Sequence, residues 1–179
     1  MAIELKRMTA SEFLALPETT LPHELLNGEV TMSPAPTLEH QRLLLRLAKL
    51  VEHIVPNGEV FITPVDVYLD ESNVLQPDLV WVAEGSAAKS VDNKYLKGAP
   101  DLVVEIFSPG TVRRDKKDKF RLYEKFGVRE YWMLDPDEKW LEIWLLKDSH
   151  FVLVDVFGPN DLCTSPLLGK IDMKAIFPD

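Results

Sequence analysis

Apolar residues arrive in two rhythms along this chain. The first is a helical stripe. In residues 37–55, Leu43, Leu44, Leu47, Leu50, Val51 and Ile54 recur at three- and four-residue steps, with Thr37 placed to cap the start. That spacing predicts a long helix with one apolar face. The second rhythm is the short unbroken run. Residues 102–107 are apolar except for Glu105 and lie between Pro100 and Pro109; residues 78–83 and 130–134 are similar. Such runs predict strands buried on both faces. Between the runs at 102–107 and 130–134 come a short loop, 108–112, and a basic helix, 113–126, with Gly127 suited to its C-terminal cap. Strand, helix and strand joined by short loops form a crossover unit, so these two strands are expected to be parallel neighbours.

The remaining segments fill in around this unit. Thr9-Ala10-Ser11-Glu12 reads as a capping box opening a short helix through Leu16. Asn27-Gly28 predicts a hairpin over 23–30. Residues 59–68 alternate but contain Pro64, which predicts an edge strand or a bulged one. Residues 70–73 read as a turn, and the polar stretch 84–97 as a helical turn or a mobile loop. A second hairpin is expected from 140–146 and 151–157. The tail, 160–179, has one apolar patch, Leu167-Leu168, and is expected to cap the core. No repeat or linker interrupts the 179 residues, so the expectation is one α/β domain, 1–179, with a mixed sheet.

Two features of this pattern carry chemistry. The letters PDLV occur twice, at 77–80 and 100–103, each time setting an aspartate at the head of an apolar strand. A carboxylate inside an apolar run, as at Glu105, is costly unless a metal, a proton or a cation compensates it. If the two strands are neighbours, Asp78 and Glu105 can converge at one sheet edge. Two carboxylates and a strand carbonyl make a hard oxygen site suited to magnesium. The bland alternatives are turn residues for the aspartates and a buried ion pair for Glu105. The cations are gathered nearby: Arg113, Arg114, Lys116, Lys117, Lys119, Arg121 and Lys125. Asp115, Lys119 and Tyr123 fall four residues apart and share one helix face.

Composition narrows the field. Formal net charge is -9 and pI about 5.0, which does not favour a large nucleic-acid footprint but leaves room for a local basic face. No apolar run approaches the ~18 residues of a membrane span. The single cysteine, Cys163, excludes an intramolecular disulfide and a thiolate zinc cage. The first residues, MAIELKRMTASEF, have no signal-peptide core, so cytoplasmic residence without a membrane partner is expected.

The strings MTASEFLALPE, HELLNGEVTMSP, QPDLVWV and above all GAPDLVVEIFSPGTVRRDKKDKFRLYEKFGVREYWMLDP resemble the Uma-type family of putative restriction endonucleases. That family is a branch of the PD-(D/E)XK nuclease superfamily. The resemblance implies a restriction-endonuclease-like core with flanking helices and an added β-hairpin. It implies that Asp78 and Glu105 hold Mg2+, with Mn2+ as a substitute. Phe107 stands where the superfamily has its lysine; the Uma-type pattern moves that lysine to the next helix, at Lys119. Glu24, His40 and Asp101 match further family positions as accessory residues, with Asp101 expected to orient Lys119. Arg113, Arg114, Lys116 and Lys117 are expected to meet the DNA backbone. The implied function is metal-dependent hydrolysis of DNA phosphodiester bonds by a homodimer. Two alternatives stand beside it: a non-catalytic nucleic-acid-binding or assembly module, and a metal-dependent hydrolase of small phosphate esters.

Overall fold

A computed structural model of the chain describes residues 7–17, 21–107 and 114–178, with the side chains of 114–116 outside that description. Helix α1 (Ala10–Leu14) opens on the capping box expected at Thr9 and Glu12, and stops two residues earlier than the sequence suggested. Strands β1 (His23–Leu26) and β2 (Glu29–Met32) form the first hairpin. Its turn residues Asn27 and Gly28 have φ of 51° and 81°, the backbone that makes Asn-Gly such a strong turn signal. Helix α2 (Leu38–Ile54) starts on its Thr37 cap.

The stretch 59–68 is not one strand. Strand β3 (Glu59–Ile62) ends before Thr63-Pro64, and β4 (Val67–Asp70) belongs to a different sheet. Proline has no amide to give a ladder, so the chain leaves one sheet there and enters the other. After β5 (Asn73–Leu75) and β6 (Leu79–Val82), the stretch expected to be a helical turn or loop is a hairpin, β7 (Lys89–Val91) with β8 (Tyr95–Lys97). Its turn uses Asp92 and Asn93, both at positive φ. Strand β9 (Leu102–Ile106), helix α3 (Arg114–Phe126) and strand β10 (Glu130–Asp135) form the crossover, with β9 and β10 parallel as expected. The expected loop 108–112 and the first residue of the expected helix, Arg113, lie outside the described residues. Strands β11 (Trp140–Lys147) and β12 (His150–Phe157) make the second hairpin. The tail forms β13 (Cys163–Ser165), β14 (Gly169–Ile171) and α4 (Met173–Ile176).

The architecture is mixed α/β, with two mixed six-stranded sheets and a small separate hairpin. One sheet runs β2-β1-β5-β4-β8-β7 and the other β12-β11-β10-β9-β6-β3. Alternation along the second sheet decides what meets what. On β9, Leu102, Val104 and Ile106 join Leu43, Leu44, Leu47 and Val51 of α2 in one core. The alternate residues Val103 and Phe107 join Leu122 and Tyr123 of α3 and Leu26, Val67 and Leu75 of the other sheet. Glu105 shares their parity, so it points toward α3 and the first hairpin. The tail closes the α2 side: fully buried Glu130 accepts bonds from Trp132 Nε1 at 2.6 Å, the Leu167 amide at 3.0 Å and the Ser165 hydroxyl.

Candidate active site

Strands β6 and β9 are antiparallel neighbours, with Leu79 opposite Val104. One step further in that register sets Asp78 opposite Glu105, on the same side of the sheet. The two PDLV copies therefore answer each other. Asp78 Oδ2 accepts the Ile106 amide at 2.7 Å, and Asp101 Oδ2 accepts the Ala83 amide at 2.9 Å. Each aspartate binds the far end of the other strand, so the two stand at opposite ends of the β6–β9 pair. Asp101 pairs with Arg129 at 3.0 Å and has no bond to Lys119 among the described residues. The expectation that it orients Lys119 is thereby corrected. Burial would raise its pKa, but bonds from Ser86, Ala83 and Arg129 hold it below the usual value.

At the Asp78 end four elements converge. Lys119, halfway along α3, places its ammonium 2.8 Å from Glu24 Oε1 and 3.1 Å from Glu105 Oε1. Glu24 reaches it from β1, held in turn by the Gln76 amide at 2.7 Å. Tyr123, one turn beyond Lys119, donates its hydroxyl to Glu105 Oε1 at 2.7 Å. His40, in the first turn of α2, lies 3.2 Å through Nε2 from Asp78 Oδ1. It is buried, because it continues the Leu43, Leu44, Leu47 stripe by one turn.

The electrostatics follow from this crowding. Burial pushes Glu105 up to about 7; Lys119 draws it down, Asp78 and Glu24 push it up, and the Tyr123 hydroxyl draws it down. Burial alone would lower Lys119, but Glu105 and Glu24 outweigh it and hold the ammonium above its ordinary pKa. Burial and the nearby carboxylates Glu105 and Glu24 raise Tyr123 well above its ordinary value, so it stays a neutral donor. His40 is lowered by burial and raised by the bond and charge of Asp78, with the net shift upward. Its Nδ1 and Gln76 Oε1 are buried atoms with no hydrogen-bond partner among the described residues.

Among the described residues, the carboxylates Glu24, Asp78 and Glu105 outnumber the basic side chains in contact with them, Lys119 and His40. Among the described residues, no three His, Cys, Asp or Glu side chains stand close enough to hold a metal ion as they are. Mg2+ asks for less than that. It keeps several waters and takes one or two carboxylates, so a pair of oxygen donors in a region of surplus negative charge suits it. The other expected residues are further out. Lys117 is exposed on α3. Arg113, and the side chains of Arg114 and Lys116, lie outside the described residues. The sequence pattern does not mark Tyr123 or Gln76 as site residues. The four-residue step from Lys119 is the signal for Tyr123; for Gln76 nothing beyond its place before Pro77-Asp78 points to the site.

The site thus brings a carboxylate pair from adjacent strands together with a lysine from the crossover helix. Residues 10–174 match the Uma2 family, described as "Putative restriction endonuclease", and the chain belongs to that family. Its fold is similar to a crystal structure titled as a putative nuclease from Anabaena variabilis, with a TM-score of 0.78, 23% identity, and 95% of this chain and 97% of that chain covered. No curated protein matches the chain significantly. Among the described residues, no helix is long and apolar enough to cross a membrane.

Proposed function

We propose that the chain is a magnesium-dependent endodeoxyribonuclease, built as one restriction-endonuclease-like domain. One observation carries this reading: the Lys119 ammonium is bonded to Glu105, beside Asp78, although Phe107 occupies the position where the superfamily keeps its lysine. The non-catalytic alternative draws its force from the net charge of -9 and from Phe107, and a lysine supplied by α3 weakens the second of these. Asp78 and Glu105 would hold the ion, with Glu24 near enough to assist. Bound Mg2+ would supply an activated water and a counter-charge for the phosphodiester. The flanking carboxylates Glu105 and Glu24 favour the protonated form of Lys119. Its part is electrostatic: an ammonium aimed at charge developing on the scissile phosphate. The Ile106 amide and His40 hold Asp78 in place from two sides. Arg113, Arg114, Lys116 and Lys117 would meet the DNA backbone. A homodimer would bring the second centre needed to cut both strands.

The metal half of this reading has a direct test. Mn2+ should raise the melting temperature of the folded protein by mass action. Asp78→Asn is expected to remove that shift while leaving a cooperative melt. A shift of equal size in the variant would show that the ion sits elsewhere.

A further inference from the structure

Glu105 has two oxygens, and they are not equivalent. Oε1 receives both the Tyr123 hydroxyl at 2.7 Å and the Lys119 ammonium at 3.1 Å. Among the described residues, Oε2 accepts only a longer bond from Lys119, at 3.3 Å. Tyr123 is held in place by its packing. It is fully buried, and its ring packs on Tyr131 at 5.1 Å between centroids. Its carbonyl accepts the Gly127 amide at 3.2 Å and the Val128 amide at 3.0 Å where α3 ends. Gly127 sits at φ 87°, the left-handed backbone that lets the chain turn back there. The hydroxyl is thus fixed from the ring side and from the backbone side. It is delivered by the same helix that delivers Lys119, one turn away.

We propose that Tyr123 is a positioning residue that clamps Oε1 of Glu105 and so assigns Oε2 as the atom offered to the metal. This rests on the reading of Glu105 as a metal ligand. Outer partners of this kind orient a ligating carboxylate, and losing one weakens metal affinity by about 10–100-fold. The bland rival is a core tyrosine that has merely found an acceptor for its hydroxyl. The two differ in what Tyr123→Phe does, since that change removes one oxygen and keeps the ring packing.

The experiment titrates Mn2+, followed by its electron paramagnetic resonance signal, into wild type, Tyr123→Phe and Glu105→Gln. Melting curves run in parallel without metal check that each variant is folded. Tyr123→Phe is expected to bind about 10–100-fold more weakly, with saturation recovered at high Mn2+, and Glu105→Gln not to bind at this site. Wild-type affinity in Tyr123→Phe beside a dead Glu105→Gln would overturn the clamp alone. Wild-type affinity in Glu105→Gln would remove the ligand reading and the clamp with it.

Discussion

Lys119→Met should cost this protein more than any other single change in the site, and the cost should depend on pH. The substitution withdraws the one ammonium shared by Glu24 and Glu105, whose side chains are only 9% and 13% exposed. Stranding a buried charge in this way typically costs about 3–5 kcal/mol. Part of that is recoverable with acid. Glu105 already has its pKa raised above the unfolded value, so its contribution to stability is complete below about 4.5 and is lost as pH rises through about 7. Without Lys119, which draws it down, the folded value moves higher still, and protonation can relieve the repulsion with Glu24. Urea melts at about pH 5 and about pH 8 should therefore show a deficit that is small in acid and large in base. Equal deficits at the two pH values would contradict the shared-cation picture. Phosphodiester turnover should fall by about 10²–10³, the usual loss when a donor aimed at developing charge is removed.

Glu105→Gln is expected to do the opposite to stability. An ionised carboxylate held at a raised pKa of about 7 is a burden on the fold at neutral pH. Glutamine keeps an oxygen for Tyr123 and Lys119 but carries no charge. A tenfold change in a proton-binding equilibrium is worth about 1.4 kcal/mol, and with the lost support of Lys119 subtracting from the gain a net stabilisation of about 1–3 kcal/mol is expected at pH 8. The gain should shrink as pH falls from about 7 toward 4.5 and be absent below that, where the wild-type group is protonated in both states. Activity should be lost together with the ligand. A variant less stable than wild type at pH 8 would mean that Glu105 supports the fold rather than straining it. Functional centres commonly trade stability for chemistry in this manner.

How much of the fold and the site is legible in the sequence depends on the kind of signal. Glu105 can be read because a charge inside an apolar strand has few bland explanations. Lys119 and Tyr123 can be placed on one face because helical steps are fixed by geometry, even though the pattern gives a role only to Lys119. His40 belongs to the apolar stripe of α2, which is why it is buried. Asp78 and Asp101 cannot be told apart by pattern, because each heads the same PDLV string. What separates them is the antiparallel pairing of β6 with β9, which sends one aspartate to each end of the strand pair, and strand direction is not written in four letters. The hairpin at 89–97 escapes the pattern because its strands are three residues each, with exposed Lys89, Ser90 and Lys97 diluting any alternation. The split at Pro64 is only half visible: the proline signals a disturbance within one strand, whereas it ends a strand in one sheet before the next begins in the other.

Cleavage of supercoiled plasmid DNA tests the central claim most directly. Wild-type protein, Asp78→Asn and Lys119→Met would each be incubated with plasmid in Mg2+, in Mn2+ and in chelator, and relaxed and linear products counted over time. The expected result is nicking by wild type that requires the divalent ion and is lost in both variants. Cleavage by Asp78→Asn at the wild-type rate, or wild-type protein that leaves plasmid and single-stranded DNA intact in both metals, would contradict a DNA-cutting centre at Asp78, Glu105 and Lys119.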